Sequence, residues 1–226
     1  MSTSSPDADR DPAAQCACGC TSVNVFGTRE ARDDLKAYRK KGAGPTTSAL
    51  IEAIVAEGVE GATLLDIGAG IGAIQLGLLP VGVARAEFVD ASEAYVQVAT
   101  EEAARRGFED RTNGRVGDFV ALAGEVPPAD IVTLERVVCC YGDVGALLAA
   151  ATAHAGRMIG LVYPPPTPLM RIFGRIGNVL ARLFRQQCRF YVHPLAAIEE
   201  PLRAAGFVGR PIKRTLIWQV ALYTRA

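Results

Sequence analysis

The sequence predicts an α/β protein: a doubly wound, mostly parallel seven-stranded sheet with an antiparallel C-terminal strand. Three observations predict it. Short apolar runs alternate with helical stretches from Thr63 to Tyr163, the rhythm of a parallel sheet covered by helices on both faces. A glycine-rich turn, Gly68-Ala69-Gly70-Ile71-Gly72, follows the first apolar run and opens a helix. Two strand-like segments close the chain with few residues between them, and such neighbours pair antiparallel because a parallel crossover takes about a dozen residues or more.

The elements follow in order. Residues 1–24 are polar, rich in Asp, Pro, Ser and Ala, and read as a flexible cysteine-bearing tail, leaving 25–226 as one domain. Arg29 to Lys41 reads as a charged helix stopped by Gly42-Ala43-Gly44-Pro45. A helix capped by Thr46 or Thr47 carries Leu50, Ile51, Ile54 and Val55 on one stripe. Then come a strand over Thr63–Ile67, a helix over Ile71–Leu79 and a strand over Ala86–Val89. A helix over Ser92–Arg106 follows, with Ser92 as its cap, and then a weak strand over Asn113–Val116. The strand Ala129–Leu134, the helix Val144–His154 and the strand Arg157–Tyr163 complete the alternation. Pro164-Pro165-Pro166 interrupts it. A helical insertion over 164–193 is expected next. Its helix, Pro168 to Arg185, has Leu169, Ile172, Phe173, Ile176, Val179, Leu180, Leu183 and Phe184 on one side and arginines on another. A helix through Ala205 and strands near Val208–Lys213 and Leu216–Tyr223 finish the domain.

Composition bounds the function. Half the chain is hydrophobic, which argues against disorder, and no apolar run approaches the ~20 residues that span a bilayer. The first residues lack the basic-then-apolar layout of a signal peptide. A cytoplasmic protein is expected, with membrane contact peripheral at most, at the inner face. The net charge is zero, yet residues 157–226 hold 11 basic and 2 acidic side chains. That split reads either as a basic face for an acidic partner, substrate or membrane, or as halves that neutralise each other within the fold. No dense basic tract with interleaved aromatics suggests nucleic-acid binding. Cys16, Cys18 and Cys20 lack the spacing of structural zinc or common iron–sulfur runs and read as tail thiols without a shared task, so no metal is expected.

The chemistry is expected at the glycine turn. Glycines allow tight turning and close ligand approach, and the following helix presents unpaired N–H groups. Asp90, 22 residues after Gly68 and at the end of the second strand, suits ribose hydroxyls. Gly68-Ala69-Gly70-Ile71-Gly72-Ala73 also satisfies the dinucleotide pattern G-x-G-x-x-G/A, so a nicotinamide-dependent oxidoreductase is an alternative. Three features favour a cationic cofactor. Asp66 would repel a pyrophosphate but suits a sulfonium and an ammonium. Roughly 60 residues after the fifth strand are too few for a substrate domain. The antiparallel tail is foreign to a plain dinucleotide half-fold.

From about Gly44 onward the chain resembles class I S-adenosylmethionine-dependent methyltransferases, in the hydrophobic-Asp-x-Gly-x-Gly-x-Gly run and the acid ending strand two. The resemblance implies a Rossmann-like methyltransferase fold and S-adenosyl-L-methionine as cofactor. It implies that Asp66, Gly68, Ala69 and Gly70 meet the methionine moiety, Asp90 the ribose, and Ala91 and Ser92 the adenosine. Asp118 would accept from the adenine amino group and Phe119 would lie against the ring. Glu135 and Arg136 would line the reactive end, with Tyr38 either closing over it or serving as a core aromatic. In element order, and in Arg189-Phe190-Tyr191-Val192-His193, the chain is distantly similar to magnesium-protoporphyrin IX methyltransferases. It departs from them at Cys140-Tyr141, where those enzymes tend to carry His-Tyr.

The expected reaction is transfer of a methyl group to a small-molecule acceptor, an oxygen nucleophile of anionic or lipophilic character, with a non-catalytic binding protein as a further alternative. Cys140, Tyr141 and His193 are the candidate catalytic groups, the first two just past strand four. His193 follows the insertion. His154 reads as a helix C-terminal cap. The arginine-bearing helix reads as an acceptor lid, a membrane-docking element or an ordinary amphipathic helix on the sheet edge. The sequence leaves a homodimer open.

Overall fold

The computed structural model describes residues 27–183 and 189–226; the cysteine-bearing tail, Cys188 and the expected end of the insertion helix at Arg185 lie outside them. The expected sheet is present. Strands β1 (Thr63–Ile67), β2 (Arg85–Asp90), β3 (Thr112–Val116), β4 (Ala129–Glu135), β5 (Ala155–Tyr163), β6 (Phe207–Arg214) and β7 (Gln219–Arg225) form one seven-stranded sheet in the order β3-β2-β1-β4-β5-β7-β6. The first five run parallel, and β7 lies antiparallel between β5 and β6.

Helices α1 (Thr28–Lys41), α2 (Pro45–Ala56), α3 (Ala73–Leu78), α4 (Glu93–Arg105), α5 (Phe119–Leu122), α6 (Val144–His154), α7 (Pro168–Leu183) and α8 (Leu195–Ala204) complete the chain. The central strands are apolar because both faces are covered. One core cluster joins Leu65, Val132 and Leu161 to Leu147 of α6 and Leu202 of α8; the other joins Leu64, Ile131 and Val162 to Leu50 and Ile54 of α2. The helix over 71–79 starts at Ala73, because Gly70 and Gly72 hold left-handed φ values of 55° and 79°. His154 ends α6 with its two ring nitrogens against the carbonyls of Ala150 and Ala123, at 2.7 and 2.9 Å, as the capping reading has it.

Two expectations need correction. The last strand begins at Gln219, not Leu216. The Thr215 hydroxyl accepts from the Trp218 amide at 2.9 Å and the Thr215 amide donates to the Trp218 carbonyl at 2.8 Å, closing a hairpin that leaves Leu216 and Ile217 at its tip. The second concerns one of the three readings of α7, an ordinary amphipathic helix on the sheet edge: the apolar stripe is exposed. Only Met170 and Gly174 of α7 are buried. Asn178 fixes this orientation, its side chain bonding both the amide and the carbonyl of Phe190 at 2.8 Å. Among the described residues no helix is long and apolar enough to cross a membrane.

Candidate functional site

The carboxyl ends of β1, β2 and β4 bring three carboxylates around the glycine turn, at the crevice where strand order reverses between β1 and β4. Gly68 has φ 66°, and a Cβ there would lie 2.3 Å from Val137 Cγ2. The turn is thus closed from below by the segment after β4, and only glycine fits.

Asp90 is held by two backbone amides. Gly70 N–H donates to Oδ2 and Ser92 N–H to Oδ1, both at 2.9 Å. Each carboxylate oxygen keeps lone-pair capacity for a further donor, so the group is fixed in place with room to accept from hydroxyls. Burial pushes its pKa up, against those two hydrogen bonds. Ala91 is exposed beside it, and Ser92 caps α4 by accepting from the Tyr95 amide.

Asp66 is 1 % exposed. Its register partner Thr133 on β4 donates to Oδ1 at 2.7 Å, while Oδ2 is buried without a hydrogen-bond partner among the described residues. Burial pushes this carboxyl up to about 7; the Thr133 hydroxyl opposes the shift, and Glu135 and Asp90 add to it. Glu135, ending β4, accepts from Thr47 Oγ1 at 2.6 Å, and burial raises its pKa as well, against Thr47 and Arg136. Arg136 is the one non-glycine among the described residues at positive φ, 62°, a strained conformation for an arginine. Its amide donates to the Val162 carbonyl, its guanidinium donates to Thr46 Oγ1 at 2.9 Å, and its Cζ lies 5.2 Å from the Trp218 ring centroid.

The other expected residues divide. Cys140 is half-buried, and the thiols of Cys139 and Cys140 both lie against the Arg136 carbonyl, at 3.1 and 3.6 Å. His193 Nε2 sits 2.9 Å from the Tyr141 carbonyl. A carbonyl only accepts, so Nε2 carries the proton and Nδ1 is the basic nitrogen of the neutral ring. Tyr141 departs from the expectation of a catalytic group: its side chain is 4 % exposed and its hydroxyl donates to Asp118 at 2.9 Å. Burial, with Asp118 next, drives that phenol's pKa upward, away from acid–base use. Asp118 also caps α5 by accepting from the Val120 amide. Phe119 departs too, since it is 3 % exposed with its ring edge-on to His154, 5.3 Å between centroids, and faces the core.

Tyr38 lies elsewhere. Helix α1 runs alongside α4 in the same direction, joined by Tyr95 Oη donating to Asp34 at 2.6 Å and by Arg39 bonding Glu102. Tyr38 is thereby carried to the far end of α4, with its ring 5.2 Å from Arg106 Cζ. A surface cavity of about 460 Å³ opens there, lined by Tyr38, Arg39, Gly42, Arg105 and Arg106, and it shares no residue with the carboxylate–glycine cluster. What α1 places by the glycine turn is Asp34, through Tyr95, whose ring faces Gly70. Sequence reasoning missed Thr46, Thr47, Tyr95, Thr133 and Trp218. Only the α2 threonines carried a signal, as helix-capping types, and that signal pointed to a different role.

A cationic, hydroxyl-bearing cofactor fits this donor and acceptor set. The partnerless Asp66 oxygen has no cation against it, Glu135 has only Arg136 at 3.7 Å, the fixed Asp90 accepts, and the glycine cradle admits close approach. A pyrophosphate would meet three carboxyl groups. The fold has been seen before in that company.

The chain superposes over 97 % of its length on all of a magnesium protoporphyrin IX methyltransferase from Synechocystis PCC 6803 with S-adenosylmethionine bound, at TM-score 0.65 and 18 % identity. It matches an O-methyltransferase family protein from Burkholderia thailandensis at TM-score 0.64 and 16 % identity, over 80 % of this chain and 55 % of that one. This is the fold of S-adenosylmethionine-dependent methyltransferases. A putative sarcosine dimethylglycine methyltransferase from Galdieria sulphuraria shares it, at TM-score 0.62 and 14 % identity over 80 % of this chain and 85 % of that one. In sequence the chain is 25 % identical over 166 residues to a ribosomal protein L11 methyltransferase from Photorhabdus laumondii, a match spanning 73 % of this chain and about half the length of that relative, 51 %. No protein-family profile matches.

Proposed function

We propose that the protein is an S-adenosylmethionine-dependent methyltransferase acting on a small-molecule acceptor through an oxygen nucleophile. The observation that carries the reading is the buried Asp66 carboxyl, one oxygen without a partner, beside a pinned Asp90 at a glycine turn. When bound, the cofactor supplies an electrophilic methyl on a sulfonium. Asp66 and Glu135 offset positive charge, Asp90 accepts from the ribose, and the cradle from Gly68 to Gly72 admits the methionine moiety. Arg136, beside Glu135, holds the acceptor end.

An oxygen that arrives deprotonated, as a carboxylate does at neutral pH, fits the groups present. It needs no general base, and Arg136 offers it a cation. In-line displacement then depends on positioning. The phenol of Tyr141 is committed to Asp118 and the ring nitrogens of His154 to carbonyls, which supports an acceptor that does not rely on them.

Calorimetry with S-adenosylmethionine and NAD side by side tests the cofactor. We expect S-adenosylmethionine to bind and Asp90→Ala to weaken it by about 10- to 100-fold, the worth of hydrogen bonds to a charged group. Binding of NAD but not S-adenosylmethionine would overturn the reading.

A further inference from the structure

Helix α7 wears its apolar face outward. Seven of its eight large apolar residues are 48–71 % exposed, Met170 being the exception. At 3.6 residues per turn those seven fall within an arc of about 120°, while Met170, Gly174, Asn178 and Ala181 form the opposite face. That inward face is docked by design of the sequence: Asn178 clips both backbone groups of Phe190, and Gly174 lets Phe190 and Val192 close to 3.4 and 3.3 Å of its Cβ position. A helix of a water-soluble protein ordinarily turns its apolar stripe to the core, and scattered single residues, not contiguous stripes, remain outside.

A second exposed apolar point lies next to it. Leu216 is 88 % and Ile217 53 % exposed at the tip of the β6–β7 hairpin. The following residue, Trp218, meets the ring of Phe190 edge-on at 6.4 Å, and Phe190 is the residue Asn178 holds. Charge selects the partner. Arg171, Arg175 and Arg182 line one edge of the apolar arc, all exposed, with Lys213 and Arg214 exposed beside the hairpin tip; α7 contains no Asp or Glu. Two copies of α7 packed on each other would bring six arginines together with no carboxylate from either helix. An anionic phospholipid surface answers both features, since it takes up apolar side chains between headgroups and attracts the arginines.

We propose that α7 and the β6–β7 hairpin tip form a docking surface for an anionic phospholipid bilayer, with α7 lying in the plane of the headgroups. Among the described residues no helix is long and apolar enough to span, the sixteen of α7 included, so the attachment proposed is peripheral. Trp218 has the Arg136 guanidinium over its ring, which sets the surface beside the end of the site assigned to the acceptor. Only that last relation rests on the methyltransferase reading.

The test is co-sedimentation of the full chain with vesicles of phosphatidylcholine and phosphatidylglycerol at 2:1, against phosphatidylcholine alone, at low and high salt, with sedimentation velocity in parallel without lipid. The wild type is expected to pellet with the anionic vesicles, less so at high salt. Phe173→Ser with Ile176→Ser is expected to weaken that binding on the order of 100-fold. Arg171→Gln with Arg175→Gln should remove most of the preference for anionic over neutral vesicles. All four residues are exposed, so circular dichroism and S-adenosylmethionine binding should match the wild type. A wild type that stays in the supernatant, or an apolar variant that binds as the wild type does, overturns the proposal. A lipid-free dimer dispersed by Phe173→Ser and Ile176→Ser, without vesicle binding, assigns the face to a second copy instead. None of these readouts uses catalysis, so their failure leaves the cofactor assignment standing.

Discussion

Burial holds the Asp66 carboxyl at about 7, with the Thr133 hydroxyl opposing and Glu135 and Asp90 reinforcing. Its folded pKa stands above the ordinary value of 3.8, so the folded state keeps a proton that the unfolded chain gives up. Stability from this group is therefore lost as pH rises from about 4 to 7 and changes no further above that. A bound cation reverses the preference by favouring the carboxylate. Affinity for S-adenosylmethionine should rise with pH up to about 7 and then level, with proton release seen below that point by calorimetry in buffers of different ionisation enthalpy. Asp66→Asn should flatten the profile; an unchanged slope in that variant would show that another group titrates. Gly68 sets a second residue-scale expectation. Its φ of 66° and the 2.3 Å approach of Val137 Cγ2 to a Cβ there combine backbone strain with a clash, so Gly68→Ala should cost about 2–4 kcal/mol in denaturant unfolding. Val137→Ala in the same chain should relieve the clash but not the strain, giving a favourable coupling of about 1–2 kcal/mol in a double-mutant cycle.

At the scale of elements, the α1–α4 pair depends on a charge knot. Glu102, fully buried, accepts from Arg105 and Arg39 at 2.6 Å and from Arg106 at 2.9 Å. The Arg105 hydrogen bond leads in holding its carboxyl down to about 2, with Arg39 and Arg106 adding to it and burial opposing. A depressed folded pKa gives stability that is present above the ordinary value of 4.5 and lost as pH falls through about 2. Glu102→Gln should lower stability at neutral pH by about 1–2 kcal/mol and flatten the acid limb of a plot of unfolding free energy against pH. This knot also shows why part of the molecule was not legible in the sequence. The strands were legible because buried parallel strands are predominantly apolar, as in Leu64–Ile67 and Ile131–Leu134, each interrupted by a single polar residue, Asp66 and Thr133. The glycine turn was legible because left-handed φ values at Gly68, Gly70 and Gly72 restrict the residue type there, and Asp90 stood out as an acid ending an apolar strand. Tyr38 was not, because its place follows from contacts across 61 to 63 residues, Asp34 with Tyr95 and Arg39 with Glu102, and helical periodicity records a face without its neighbour. The same limit applies to α7, whose stripe was evident while the Asn178 clip that turns it outward was not. Tyr141 was legible as a residue near the site, but its buried partner Asp118, 23 positions away, takes its hydroxyl out of the chemistry.

Across the whole molecule, stability is distributed in a way that separates the cofactor half from the outward helix. The central strands β4 and β5 lie between two core clusters, with Val132, Leu134, Ile159 and Leu161 fully buried. Their amides are expected to exchange through openings close to global unfolding. Helix α7 buries only Met170 and Gly174 and is held chiefly by the Asn178 clip; detaching it exposes little apolar surface that is not already exposed. Its amides should therefore exchange at least ~100-fold faster than those of β4 and β5, a difference of about 2.7 kcal/mol in opening free energy. A ligand that binds only the folded state adds about 2.7 kcal/mol at 100 times its Kd, but the increment reaches a given amide only if its opening disrupts the site. S-adenosylmethionine should accordingly slow exchange across β1, the glycine turn, the start of α4 and β4, while α7 continues to open independently of the cradle. Hydrogen–deuterium exchange resolved by peptide measures both halves of this expectation in one experiment. Uniform protection of α7 and β4, or slowing of α7 by the cofactor to the same extent as β1, would show that the outward helix is coupled to the site through more than the Phe190–Trp218–Arg136 contact chain.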